Sequence, residues 1–206
     1  DSWPPSSVET AFYLHKKGAL TRHAPKSKKA YKRYTFNPDK PCPTLGGRNL
    51  ILKPGIMNQN PVESRPDMLV FTSEPLTKPL EITGRMTARI YASSSAVDTD
   101  LSVRICDVYP DGRSFLLTDG MLRLSKRNSF EKGEPMKPGE IYKVDVDCRS
   151  TSIILNTGHR LRVSITSSNY PRFEINPGTG EIWSKGCQAV PQTNRVYCNA
   201  EHPSAI

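Results

Sequence analysis

The sequence predicts an all-β fold, a jelly-roll β-sandwich, from three observations. Apolar and polar residues alternate with a period of two in several stretches, most clearly from Leu80 to Tyr91. Turn residues such as Tyr109-Pro110-Asp111-Gly112 separate these stretches. No convincing amphipathic helix longer than about three turns is visible. Because strands with one apolar face need a second sheet to cover it, the count of about eight to ten strands favours two packed sheets.

The N-terminal third predicts short strands followed by a long loop. Ala11 to Leu14 is a short strand that ends at Lys16-Lys17-Gly18, and Leu20 follows the turn. Tyr31 to Phe36 is a second extended run. From Pro41 to Arg65, prolines and glycines recur every few residues, which predicts a loop without a helix that wraps a surface. Long ordered loops of this kind serve sites or interfaces.

The remaining strands follow from alternation between turn residues. Their predicted ranges are Met68 to Thr72, Leu80 to Tyr91, Leu101 to Cys106, Phe115 to Leu117, Tyr142 to Cys148, Arg160 to Thr166 and Arg195 to Cys198. The apolar members that should point into the core include Met86, Ile90, Val103, Ile105, Val144, Val163 and Ile165. The polar members between them, such as Ser102 and Arg104, should face water. We expect one domain, with residues 1–65 as a basic lead and wrapping loop and residues 66–206 as the main sandwich.

Length and composition limit the class of protein. A chain of 206 residues fits one large all-β domain. No run of about 18 apolar residues occurs, and the first residues lack the layout of a signal peptide, so we expect no membrane partner and favour a cytoplasmic location. The chain also lacks an initiator Met, which suggests a piece excised from a longer protein.

The positive charge is concentrated in the first third of the chain. The net charge is +9, and residues 1–65 hold 12 Lys or Arg against 4 Asp or Glu, whereas residues 66–206 hold 17 against 16. Basic residues from Lys26 to Arg33, interleaved with Tyr31 and Tyr34, resemble a nucleic-acid-binding strip. A solvated loop, or a surface complementary to an acidic partner domain, explains the same pattern, and we expect no nucleic-acid partner.

Five cysteines stand at positions 42, 106, 148, 187 and 198, with no C-x-x-C pair. The odd count and the spacing indicate neither a zinc knuckle nor a full disulfide framework. Buried thiols are the simplest interpretation. One bridge between Cys187 and Cys198 stays open, because that separation suits neighbouring strands.

Several motifs occur in the order in which one enzyme family has them. They are Pro43-Thr44-Leu45-Gly46-Gly47, Met57-Asn58-Gln59, Arg65 to Leu76 (Arg-Pro-Asp-Met-Leu-Val-Phe-Thr-Ser-Glu-Pro-Leu), Asp107 to Ser114, Gly158 to Arg162, Ser168-Asn169-Tyr170-Pro171-Arg172-Phe173 and Ala200 to Ser204. Together they resemble the C-terminal domain of the X-Pro dipeptidyl-peptidase, cocaine esterase and α-amino-acid ester hydrolase group, the CocE/NonD-type hydrolases. The resemblance covers nearly the whole chain.

The resemblance implies a jelly roll of galactose-binding-like fold that follows an α/β-hydrolase domain with a serine nucleophile. Such a domain is non-catalytic, packs on the hydrolase domain of the same polypeptide and helps to form its substrate pocket. In relatives the segment after the Gly-Gly turn approaches that pocket, which implies a pocket rim formed by Gly46, Gly47, Leu50, Ile51 and Leu52. Leu50 to Leu52 could equally begin a core strand. The family often has Gly-Pro-Met-Asp-Gln where this chain has Gly55 to Gln59, so the substrate class is not readable.

The chain offers no nucleophile of the α/β-hydrolase type. The G-x-S-x-G elbow is absent, and the nearest string, Gly112-Arg113-Ser114, leaves a hairpin with bulky flanks. The candidate bases are His15, His23, His159 and His202. A local triad through His202 is the open alternative, because triads form in space and not in sequence order. The resemblance places His202 in a structural terminal motif, so we expect no catalytic residue in this chain. We also expect no cofactor.

Three alternatives complete the analysis. Asp98, Asp100, Asp107 and Asp111 could gather oxygens for calcium, but aspartates at turns more often cap the turn, and we expect no metal. A carbohydrate-binding module, with Trp3 and Trp183 as a stacking platform, is a second functional class. A nucleic-acid-binding domain that uses the basic lead is a third. A homo-oligomer formed through the sandwich stays open.

Overall fold

The computed structural model describes residues 7–182, 184 and 186–206, and it is built almost entirely of strands and loops. The strands are β1 (Tyr13–Leu14), β2 (Leu20–Thr21), β3 (Tyr31–Phe36), β4 (Leu69–Thr72), β5 (Leu80–Ser94), β6 (Asp100–Val108), β7 (Ser114–Arg123), β8 (Tyr142–Leu155), β9 (Arg160–Thr166) and β10 (Gln192–Tyr197). Helical structure in these residues is limited to α1 (Asn60–Glu63) and a 3₁₀ turn at Leu124–Lys126. The all-β prediction is confirmed. Trp3 and Trp183 lie outside the described residues.

Eight of the strands form two four-stranded antiparallel sheets. The first sheet has the order β3-β10-β5-β8, and the second has the order β4-β9-β6-β7. The chain alternates between the sheets from β3 to β6, which is the connectivity of a jelly roll, so the jelly-roll prediction is confirmed. The predicted hairpin joins β6 and β7, where the amide of Tyr109 donates to the carbonyl of Arg113 at 2.9 Å. Gly112 supplies the positive φ, +87°, that this turn needs.

The core lies between the two sheets and contains most of the side chains that the alternation predicts. Those fully buried are Ile90, Val103, Ile105, Val144, Val163 and Ile165. Met86 also packs against this core as predicted, but it is only half-buried. The register between β5 and β8 shifts between Arg85 and Thr87, next to this residue. The extra residue of this β-bulge belongs to β8, and the alternation continues along β5, where Arg85 and Thr87 are exposed and Met86 packs against the core.

The prediction that β6 has one face in water is wrong. Every residue of β6 is buried, and Arg104, on the face that should have been solvated, is only 1% exposed. The wrapping loop, together with Met68 just after it, covers this outer face with a small second core made of Cys42, Val62 and Met68. A strand buried on both faces cannot be recognised from one apolar face alone.

A helix also occurs where the prolines were expected to exclude one. Helix α1 has a proline, Pro61, in its first turn, where the missing amide hydrogen costs nothing. The helix carries Glu63 to the outer face of the second sheet. There the carboxylate of Glu63 accepts from Arg162 at 2.7 Å and from the hydroxyls of Ser114 and Ser164 at 3.0 and 2.9 Å. Glu63 therefore fastens the wrapping loop to strands β7 and β9.

The division at residue 65 does not separate the basic lead from the sandwich. Strand β3, inside the lead, pairs with β10 along its whole length from Tyr31 to Phe36. β3 lies at the edge of the first sheet. Lysine and arginine on an edge strand discourage pairing with a second chain, which gives the basic residues Lys32 and Arg33 a structural role.

The five cysteines, all within the described part of the chain, are free thiols. Cys187 is half-buried and the other four are buried. Because Cys187 and Cys198 are both free, the structure contains no bridge between them. Burial raises the pKa of the Cys148 thiol to about 12. None of the helices described is long and apolar enough to cross a membrane.

Candidate functional site

The segment after the Gly-Gly turn forms a loop with a closed neck. Gly47 and Gly55 exchange two backbone hydrogen bonds of 2.8 and 3.0 Å, so that the residues between them make a separate lobe. Gly46 has a φ of +69°, and a Cβ added there would lie 2.3 Å from the carbonyl oxygen of Gly55. Only glycine fits this position. We call residues 46–56 the apolar loop.

The apolar loop is ordered by its own polar groups. The side chain of Asn49 donates to the carbonyl of Gly46 at 3.1 Å and accepts from the amide of Leu52 at 2.7 Å. Arg48 reaches across to β8, where it donates to the carbonyl of Ser150 at 2.5 Å. These bonds fix the loop without the burial of apolar side chains.

The tip of the loop presents apolar side chains to solvent. Leu50 and Ile51 are 102% and 95% exposed, and Ile56 at the neck is 64% exposed. Leu52 is half-buried, and the segment forms no strand. The alternative that Leu50 to Leu52 begin a core strand is therefore wrong. Neighbouring apolar side chains that the domain itself leaves uncovered mark a surface for a partner or a ligand.

The neck of the loop lies on strand β7 and on the segment that follows β9. The pair beneath it is Asp119 of β7 and Arg172, whose side-chain atoms Oδ2 and Nη1 lie 2.5 Å apart. Tyr170, 43% exposed, lies close by, because its backbone bonds to both Cys42 and Thr44. A cavity of about 100 Å³ remains between the neck and β7.

The components of a hydrolytic triad lie in different places within the described residues. His159 contacts a carboxylate, with Nδ1 at 2.9 Å from Asp107, but the tilted ring of Tyr109 packs against the imidazole and no serine is bonded to it. His15 contacts a hydroxyl, that of Thr21 at 2.9 Å, but no carboxylate. His202 packs its ring against Tyr91 and Tyr197. No described histidine thus combines a hydroxyl and a carboxylate in the way that nucleophilic catalysis requires.

The aspartates considered for calcium are each engaged by protein donors. Asp98 accepts from the hydroxyl of Ser125 at 2.8 Å, and Asp111 accepts from Arg113 at 2.7 Å. Asp107 bonds to His159 as described. The described residues contain no cluster of three or more histidine, cysteine or acidic side chains that could hold a metal.

Asp100 is the aspartate whose ionisation burial changes most clearly. Its carboxylate accepts from Arg123 at 3.0 Å and from Asn176 at 2.8 Å. Burial raises the pKa of Asp100 to about 6, and the bonds from Arg123 and Asn176 oppose that rise. Asp100 thus joins β6 to β7 and to the loop before β10.

The basic strip does not offer its tyrosines equally to a ligand. Tyr34 is buried, and its hydroxyl bonds to Ser167 at 2.8 Å. Burial raises the pKa of Tyr34 to about 12. Lys32 lies over the ring of Phe71 at 5.0 Å, and Tyr31 carries Arg195 over its ring at the same distance. The two tyrosines that would stack on nucleic-acid bases therefore already make contacts within the domain, since Tyr34 is buried and Arg195 packs on the ring of Tyr31.

A groove of about 880 Å³ runs between residues 7–13 and strand β5. Phe12, Ile82 and Met86 supply apolar walls, whereas Arg85 and Arg89 supply positive charge. Among the residues that the structure describes, no histidine or cysteine lines this groove, so these residues place neither an imidazole base nor a thiol nucleophile in it.

Comparison with known proteins gives one consistent family. A family model described as the X-Pro dipeptidyl-peptidase C-terminal non-catalytic domain matches residues 1–206. The chain is 36% identical over 220 residues to a cocaine esterase of Rhodococcus sp., which covers 99% of this chain and 38% of that protein. It is 29% identical over 227 residues to a putative serine esterase of Mycobacterium bovis, of which it covers 34%.

Solved structures agree with these sequence matches. An aminopeptidase from a marine sediment Thaumarchaeota archaeon superposes with a TM-score of 0.91 at 30% identity, over 100% of this chain and 37% of that one. An α-amino acid ester hydrolase superposes with a TM-score of 0.89 at 27% identity, over 99% of this chain and 37% of that one. The chain thus spans little more than a third of the length of the proteins that it matches.

Proposed function

Because the chain belongs to the family of X-Pro dipeptidyl-peptidase C-terminal non-catalytic domains, we propose that it is the accessory domain of a longer serine hydrolase. The parent enzyme cleaves esters or X-Pro peptides. Its α/β-hydrolase domain, in the same polypeptide, holds the nucleophile and is the partner of this chain. The apolar loop forms part of the wall of the substrate pocket, with Gly46 and Gly47 at its base and Leu50, Ile51 and Leu52 at its rim.

One observation carries this proposal: Leu50 and Ile51 are almost fully exposed on a loop that polar bonds hold in place. Leaving one such side chain in water forgoes about 1.5 to 3 kcal/mol of burial free energy. A hydrolase pocket, in turn, needs a dry wall against the acyl or side-chain group of its substrate. Leu50 and Ile51 can form such a dry wall only when the hydrolase domain covers them.

The names of the matched proteins support the reaction class. They include esterases, an α-amino acid ester hydrolase and an aminopeptidase, all of which cleave an acyl bond. A domain that lies beside the acyl site can serve each of them, because only the shape and polarity of the rim need to change.

Replacing Ile51 by alanine in the parent enzyme is expected to change acyl selectivity. The ratio of kcat/KM for large and small acyl substrates should shift about tenfold, because one apolar contact of about 1 to 3 kcal/mol leaves the pocket. The measurement is steady-state kinetics on a series of acyl esters of increasing size. Phe130→Ala is the matched control, since Phe130 is also exposed, at 83%, but lies in another loop. An unchanged ratio in I51A contradicts the proposal.

A further inference from the structure

The apolar loop rests on a buried ion pair at its neck. Asp119 and Arg172 are shielded from solvent, with 5% and 17% of their side chains exposed, and their closest atoms are 2.5 Å apart. A Cβ added to Gly47 would lie 2.9 Å from Nη1 of Arg172 and 3.3 Å from Oδ2 of Asp119. The backbone of the neck therefore lies directly against this ion pair, with no room for a side chain between them.

Asp119 is also the carboxylate of a longer chain of polar contacts. Nδ2 of Asn169 donates to Asp119 at 3.4 Å, and Oδ1 of Asn169 accepts from Arg104 at 3.2 Å. The other contacts of the Arg104 guanidinium are the sulfur atoms of Cys42, at 3.6 Å, and Met68, at 4.0 Å. Two guanidinium groups are thus linked to the carboxylate of Asp119. Arg172 contacts it directly, and Arg104 is linked to it through the side-chain amide of Asn169.

Arg172 joins this centre to the strand-like segment that leads into the loop. Its backbone amide donates to the hydroxyl of Thr44 at 3.3 Å, and its guanidinium lies 5.0 Å from the ring centre of Phe173. One side chain and one amide of Arg172 therefore fix both the approach to the Gly-Gly turn and the turn itself. An arginine suits this role, because its planar guanidinium bonds the carboxylate through one nitrogen and packs by its flat face on Phe173 at the same time.

Beyond the neck, the tip of the loop is held by the side-chain bonds of Arg48 and Asn49. The cavity of about 100 Å³ lies between the neck and β7, and Asp119 is among its lining residues. Apart from the neck, the contact of the lobe with the sheets is the bond from Arg48 to Ser150. The neck lies on the Asp119–Arg172 pair, and a small rotation at the neck would move Leu50 and Ile51 by a larger distance.

We infer that Asp119, acting through Arg172, is a positioning residue that sets the place of Leu50 and Ile51 in the pocket wall of the parent enzyme. The inference rests on the function proposed above and adds a determinant of specificity that touches no substrate. It predicts that loosening the ion pair has the same kinetic consequence as shortening Ile51.

The first test is a double-mutant cycle in the parent enzyme. Arg172→Lys keeps the charge but loses the planar guanidinium that bonds Asp119 and packs on Phe173, and it should shift the ratio of kcat/KM for large and small acyl substrates about threefold to tenfold, in the direction of I51A. The double variant R172K/I51A should show no larger shift than I51A alone, because both changes remove the same contact. Additive shifts, or no shift in R172K, overturn the inference.

The second test reads the position of the loop without any catalytic activity. Trypsin cleavage of the bond between Arg48 and Asn49 in this chain should become at least about tenfold faster in Asp119→Asn, measured by mass spectrometry relative to the bond between Lys132 and Gly133. Asp145→Asn is the matched control, because Asp145 forms an exposed ion pair with Arg89 at 2.9 Å. Should D119N fail to fold, R172K carries the same measurement.

The two tests separate the inference from the proposed function. If I51A leaves selectivity unchanged, the proposed pocket wall fails, and the positioning role in catalysis fails with it even when cleavage at Arg48 accelerates. If I51A shifts selectivity but neither R172K nor D119N changes selectivity or cleavage, the pocket wall stands and the role of Asp119 is refuted.

Discussion

Replacing Gly120 by alanine is expected to destabilise the domain by about 3 kcal/mol or more. A Cβ at this position would lie 2.3 Å from the carbonyl oxygen of Asp147 and 3.1 Å from the Cα of Cys148. Both atoms belong to the backbone of β8, so no side-chain rotation can relieve the clash. Gly120 lies on β7 in the second sheet and Asp147 lies in the first, so this is a point where the two sheets come into backbone contact.

Urea unfolding followed by circular dichroism measures this effect. Gly133→Ala is the matched control, because the nearest atoms to a Cβ there belong to the flexible side chain of Lys126, at 3.6 and 3.7 Å. That variant should stay within about 0.5 kcal/mol of the original chain. If G120A and G133A unfold at the same urea concentration, the close approach of β7 and β8 is not a feature of the folded domain.

The second large effect concerns activity. The chain alone should not react stoichiometrically with a serine-directed fluorophosphonate, and its esterase activity should not exceed that of buffer, because the sequence lacks a nucleophile elbow. The parent enzyme should be labelled fully under the same conditions. In the described residues, the histidine bonded to a carboxylate, His159, and the one bonded to a hydroxyl, His15, are separate from each other.

Mass spectrometry of the labelled chain gives the stoichiometry. Stoichiometric labelling that disappears in His202→Ala would instead establish a local triad and overturn the accessory role. Labelling at a trace level that His202→Ala does not change reflects general serine reactivity and leaves the account intact.

Much of the fold could be predicted because regular strands leave a local signal. Ile90 in β5 and Val163 in β9 are recognisable from alternation alone, and Gly112 marks the hairpin. Strand β6 escaped a correct description because the residues that contact Arg104, which are Cys42, Met68 and Asn169, lie far from it in the sequence. Met86 packs against the core as the alternation predicts, but it is only half-buried and also lines the groove beside residues 7–13. The error in β6 thus arose where distant segments decided burial.

The candidate site could be predicted only in part. Gly46, Gly47 and the apolar residues after them enter the candidate site through the family resemblance alone, and three consecutive apolar residues in a sequence do not reveal that Leu50 and Ile51 are exposed. The pair of Asp119 and Arg172 was missed, because its members are separated by 53 positions and each occurs in a stretch that reads as ordinary strand or turn. Arg172 stands inside one of the family motifs, and that was the one signal that could have pointed to it.

The most direct test of the central claim is a photo-crosslink from position 51 in the parent enzyme. With a photoreactive phenylalanine analogue in place of Ile51, we predict an intramolecular crosslink to hydrolase-domain peptides beside the nucleophile. A bulky fluorophosphonate that fills the pocket should suppress it. The same analogue at Phe130 should give no such crosslink. A crosslink from position 51 that is absent, or that persists undiminished with the pocket filled, contradicts the claim that the apolar loop is a wall of the substrate pocket.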